Sequence, residues 1–135
     1  MFSFSSQSQP QHQSNQQPFT QRLVNQQLRL GTGQEGSANG EFNGPWGITF
    51  DFKNQQVIVS DYGNNRLQFF NRHDLTHLLT VGSKGTNLGQ FNYPLGLCIQ
   101  PFTNHLLVCD SYNQRVQVWS ADDDVVVVIV MRMKT

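Results

Sequence analysis

Asp61 and Arg66 stand five positions apart, and Asp110 and Arg115 repeat that spacing. A carboxylate beside a guanidinium can do two kinds of work. In a cleft it can hold a substrate and move a proton. In a turn the Asp accepts backbone N–H groups, and the planar donor fork of the Arg reaches a carboxylate or turn carbonyls. The residues between them favour the turn. Gly63 and Asn64 tolerate left-handed backbone angles, and Asn113 holds the place of Asn64 in the second copy. A catalytic pair is needed once, whereas a turn lock is needed wherever the turn recurs. The sequence therefore points to two structural locks, Asp61, Asn64, Arg66 and Asp110, Asn113, Arg115.

Other chemistry-bearing residues carry less. His73 and His77 are four apart, a spacing that makes a metal pair on a helix, yet this segment reads as turn and strand. His105 begins a strand, and His12 lies in a Gln-rich stretch. Cys98 and Cys109 form no C-x-x-C and align with Thr49 and Ser60, so they read as small core residues with reduced thiols in a cytoplasmic chain. The glycines between 31 and 40 lack the strand–turn–helix setting of a phosphate loop. No catalytic residue, metal or cofactor is expected. Nine Lys and Arg balance nine Asp and Glu, so the net charge is zero. That removes the general positive field by which proteins hold nucleic acid or anionic membrane. No apolar run approaches the ~20 residues of a membrane span.

The elements that carry these residues are repeated. An offset of 49 takes Phe42 to Phe91, Pro45 to Pro94, Gly47 to Gly96, Asp61 to Asp110, Arg66 to Arg115 and Gln68 to Gln117, with no gap. A period of this size marks a repeat architecture. Each unit reads as four short strands: 46–50, 57–60, 66–70 and 77–81, then 95–99, 106–109, 115–119 and 126–130. Turn-rich segments separate them. Four antiparallel strands in about 40–50 residues make a β-propeller blade. The expected fold is all-β: two four-stranded antiparallel blades of a partial propeller. Trp46, Ile48, Phe50, Val57, Val59, Leu67, Phe69 and their counterparts would form the core. Residues 1–25 are Gln- and Ser-rich and are expected to be disordered. Residues 26–39 read as the outer strand and connection of a preceding unit, followed by units at 40–88 and 89–135.

The units "GEFNGPWGI…VSDYGNNRLQFF" and "GQFNYPLGL…VCDSYNQRVQVW" resemble NHL repeats. The resemblance covers about 26–131 and implies a propeller that serves as a platform for protein or RNA, as in tripartite-motif ubiquitin ligases. Their ligase activity does not come with it, because it belongs to a zinc RING whose Cys/His set is missing here. A peptide-amidating lyase is also built on NHL-like repeats, but no His recurs here at matching loop positions. The best expectation is a non-enzymatic module that binds a protein partner, with RNA second through stacking on Tyr.

In an up-and-down meander the turns fall on alternate ends. One end should gather Tyr62, Tyr93 and Tyr112, with Asn65, Lys84 and Gln114 nearby. Tyr gives large contact area at low rotamer cost, so these six residues are the expected recognition face. The opposite end carries Asp51, Asp74 and Asp122–Asp124. Two blades fall short of the roughly four to eight of a closed propeller, so self-association or completion by further repeats is expected. The apolar run Val125–Met131 would be an outer edge strand able to template pairing with another chain.

Overall fold

A computed structural model of the chain describes residue 3, residues 29–120 and residues 129–132. The expected disordered stretch over 1–25 falls outside the described residues except for residue 3, as do Asp122–Asp124. Among the described residues, eight strands form two antiparallel sheets. β1 (Pro45–Asp51), β2 (Gln56–Asp61), β3 (Arg66–Asn71) and β4 (His77–Val81) make the first, in chain order. β5 (Pro94–Ile99), β6 (Leu106–Asp110), β7 (Arg115–Trp119) and β8 (Ile129–Arg132) make the second. This is the expected pair of four-stranded blades. No α-helix occurs among the described residues. A one-turn 3-10 helix follows β2 (Tyr62–Asn64) and another follows β6 (Ser111–Asn113).

Alternation within the strands decides which residues meet. Across the first blade, Phe50, Val57, Phe70 and His77 pair in one row, while Thr49, Ile58, Phe69 and Leu79 pair in the next. Neighbouring rows point to opposite faces. The face with Ile58, Leu67, Phe69 and Val81 packs on the second blade, against Phe91, Leu97, Ile99, Leu106, Val108 and Trp119. The blades thus stack front to back. The second blade presents the face whose counterparts on the first are Ile48, Phe50, Val57 and Val59.

That stacking corrects the expected core. Trp46 is 69% exposed, Ile48 56% and Phe50 47%. Their alternation is that of a buried face, but no blade lies over it among the described residues. Val57, Val59 and Phe70 on the same side are buried, with Leu30, Phe42 and Leu75 packed against them. The expected outer strand over 26–32 lies partly outside the described residues, and its described part, 29–32, is not strand.

Two further details depart from the repeat. Leu67 pairs with Val81, whereas its counterpart Val116 pairs with Met131, not Val130. The described part of the fourth strand of the second blade, 129–132, is thus paired one residue out of the repeat register, and residues 126–128 of the expected strand lie outside the described residues. The left-handed turn residues also lie one position beyond Asn64 and Asn113. Asn64 and Asn113 belong to the 3-10 turns, and Asn65 (φ 53°) and Gln114 (φ 52°) cap them.

Candidate functional site

Asp61 ends β2, Asp110 ends β6, and both are fully buried. Three donors converge on Asp61 Oδ2: Arg66 Nε at 2.7 Å, Asn64 Nδ2 at 2.9 Å and Gln68 Nε2 at 3.1 Å. The Asn43 N–H donates to Oδ1 at 2.8 Å. The terminal nitrogens of Arg66 donate to the carbonyls of Ser37, Ala38 and Glu41. In the second blade Asp110 accepts from Arg115, Asn113, Gln117 and the Asn92 N–H in the same pattern. Arg115 reaches the carbonyls of Thr86, Asn87 and Gln90.

Each network ties the β2–β3 or β6–β7 hairpin to the connection that enters its blade. The forks of both guanidiniums are committed to protein carbonyls and a buried carboxylate, which leaves neither pair a fork to hold a substrate. The turn-lock reading accounts for every one of these bonds.

The locks bring the turns and the inter-blade connections to one end of the molecule, and that end carries a strip of aromatic rings. Trp46 stands 5.8 Å from Tyr62, centroid to centroid. Tyr62 is 4.6 Å from Tyr93, and Tyr93 is 4.6 Å from Tyr112 in an edge-on contact. Such separations suit offset or edge-to-face aromatic pairs. The strip crosses both blades. Tyr112 is exposed, and Tyr62 and Tyr93 are half-buried. Tyr93 adopts φ 58°, and its N–H is held by Asn65 Oδ1 at 2.8 Å across the blade boundary.

The six expected recognition residues divide accordingly. Tyr62, Tyr93 and Tyr112 come together. Asn65 is buried and supports Tyr93 from beneath. Gln114 is exposed beside Tyr112, its amide donating to the Ser111 carbonyl at 3.0 Å. Lys84 is exposed on the connection ahead of Phe91. Trp46, expected in the core, instead begins the strip.

One signal in the sequence could have found Trp46. Its repeat counterpart is Leu95, and those of Tyr62, Tyr93 and Tyr112 are Ser111, Gly44 and Gly63. None of the four aromatics recurs, whereas the packing pairs Phe42/Phe91 and Phe70/Trp119 do. The blade fold does not require these rings, yet all four meet.

Loss of hydration, a hydrogen bond with Tyr112 and charge repulsion from Tyr112 and Tyr93 raise the Tyr62 hydroxyl above its ordinary value. The ionised form is thus less favoured in the folded chain than in the unfolded one. Stability from this source is present below the ordinary tyrosine value of 10.0 and is lost as pH rises through the raised one. Titration of tyrosinate absorbance should show one late-ionising Tyr. In Tyr112→Phe that ionisation should move down part of the way, because the loss of hydration remains. An unchanged titration would show that the hydroxyls do not interact.

At the opposite end the described carboxylates are Asp51 and Asp74. Asp51 is buried and accepts from Asn54 and from Asn104 of the next blade. The Asp74 carboxyl is held below its ordinary range by the backbone N–H and hydroxyl of Thr76, at 3.0 and 2.8 Å. His77 bonds Thr80, and His73 bonds Gln55, so this pair does not converge on a common site. Among the described residues, no three His, Cys, Asp or Glu side chains group as a metal site. Cys98 and Cys109 are free, exposed thiols and not the buried core residues expected. Among the described residues, no helix is long and apolar enough to cross a membrane.

Two segments of the chain, residues 42–70 and 91–119, match the family described as NHL repeat. Protein lin-41 of Caenorhabditis elegans is 50% identical over 40 residues, which cover 30% of this chain and 3% of that protein. The matched stretch thus spans a small part of this relative's length.

Proposed function

Residues 42–70 and 91–119 are NHL repeats, and from that premise we propose that the chain is a non-enzymatic binding module whose recognition face is the aromatic strip Trp46–Tyr62–Tyr93–Tyr112. The observation that carries this reading is the strip itself: four rings that the repeat does not require, joined across two blades and open at Tyr112. Lys84 and Gln114 flank it as polar contacts. A protein segment suits such a face, because Trp and Tyr are enriched among the few residues that carry most of the binding energy at protein interfaces and zero net charge provides no field for a polyanion. The free thiols fit a reducing, cytoplasmic setting.

The test is peptide selection on the immobilised chain, followed by Tyr112→Ala and Tyr62→Ala variants and a matched series of single-stranded oligonucleotides. Tyr112 is exposed, so its truncation should change folding stability by no more than about 0.5 kcal/mol. Selected peptides should lose about 2 kcal/mol of binding, roughly thirty-fold, as an aromatic anchor does. Equal binding by folded Tyr112→Ala and Tyr62→Ala would place recognition elsewhere. Binding of oligonucleotides in preference to peptides would make the strip a base-stacking platform.

A further inference from the structure

The two blades leave two outward faces, and the interface between the blades shows what each is shaped to receive. On the first blade, Gly47, Ile58, Ser60 and Leu67 face the second. Their counterparts on the second blade are Gly96, Leu107, Cys109 and Val116, which have no blade over them among the described residues. On the second blade, Leu97, Ile99, Leu106 and Val108 receive the first. Their counterparts, Ile48, Phe50, Val57 and Val59, line the opposite outward face. One chain therefore carries both halves of a contact that it already makes once within itself.

We propose that these outward faces are occupied by further copies of this chain, docked front to back as the first blade docks on the second. The polar contacts of the internal interface have workable equivalents. Ser60 Oγ donates to the Leu95 carbonyl at 2.6 Å; Cys109 would meet the Trp46 carbonyl of the next copy. Asn65 holds the Tyr93 N–H; Gln114 would meet the N–H of Gly44 in the next copy. Asn104 bonds Asp51 at 3.2 Å; Gln55 of the next copy would face Gln100. Zero net charge adds no general repulsion between copies. Such a contact uses different patches on its two sides, so it closes into a ring or continues as a filament.

Gly47 and Gly96 make the inference sharp. A Cβ on Gly47 would run into the Leu95 carbonyl oxygen, whereas a Cβ on Gly96 meets only Cys109 Sγ, at 3.7 Å. Small size is required at Gly47 by the blade in front of it. At Gly96 nothing among the described residues requires it, but a docked copy would.

The experiment measures solution mass across concentration for the full chain, Gly96→Val and Ile48→Glu, with circular dichroism as the check on folding. The full chain should form species at whole multiples of its 15.4 kDa. Each variant should be a folded monomer, since each change blocks one face. Mixed together they should form a one-to-one dimer that grows no further, because each retains the face the other has lost. Alkylation supplies a second reading. In that dimer Cys98 and Cys109 of Ile48→Glu should be protected, and those of Gly96→Val should remain reactive. If Gly96→Val fails to fold, Gly96→Ala takes its place. A full chain that stays monomeric overturns the proposal. So does association that both variants retain with open thiols, which would place the contact elsewhere, such as the outer strand β8.

Discussion

Asp61→Ala should lower folding stability by about 3–5 kcal/mol, the cost of leaving a buried charge without its partner. The stranded group is the Arg66 guanidinium, with Asn64, Gln68 and the Asn43 N–H losing their acceptor as well. Asp61→Asn should be nearly as damaging, although it keeps the shape. Asn can present one oxygen, either to the Asn43 N–H or to the three donors now converging on Oδ2. Its amide nitrogen would then point a donor at donors. Arg66→Lys should also fail to substitute, since a single ammonium cannot replace a fork that reaches the carboxylate and the Ser37, Ala38 and Glu41 carbonyls together. Chemical denaturation of the three variants checks this. A loss below about 1 kcal/mol in Asp61→Ala, the scale of an exposed ion pair, would show that the network is not stabilising, and the catalytic reading of Asp61 and Arg66 would return.

Gly47→Ala should cost about 3 kcal/mol, at the upper end of the usual range for overpacking. The added methyl meets the backbone carbonyl of Leu95, which cannot rotate away as a side chain could. It would also disturb Ser60 Oγ, which accepts the Gly47 N–H at 2.7 Å and donates to the same carbonyl. Relief requires the blades to separate at β1 and β5, where the inner strands lie closest. Gly96→Ala is the control: the same residue type at the same repeat position, with only an ordinary contact in view, so the single chain should tolerate it within about 0.5 kcal/mol. Denaturation midpoints at concentrations below any self-association give the comparison. Equal losses at the two glycines would mean that strand propensity, not blade contact, sets their cost.

The sequence by itself determined the repeat, the eight strands, their meander and the turn locks. These are set by local chemistry. Alternation of period two makes strands, and an Asp followed by Asn and Arg at fixed offsets can satisfy a turn wherever it occurs. Gathering the tyrosines at one end followed as well, because a meander sends alternate turns to alternate ends. Tertiary structure decided what alternation cannot express. Trp46, Ile48 and Phe50 carry the pattern of a buried face, yet they are exposed because burial depends on a neighbour in front, and the first blade has none among the described residues. The pairing of β8 slipped one residue from the repeat, and no inside-outside pattern in an apolar run such as 125–131 could specify its register. The left-handed angle fell on Asn65 and Gln114 because the 3-10 turn takes up Asn64 and Asn113. The joining of Tyr62 to Tyr93 and Tyr112 required two blades in register, since Tyr62 and Tyr93 touch only where the first blade meets the second.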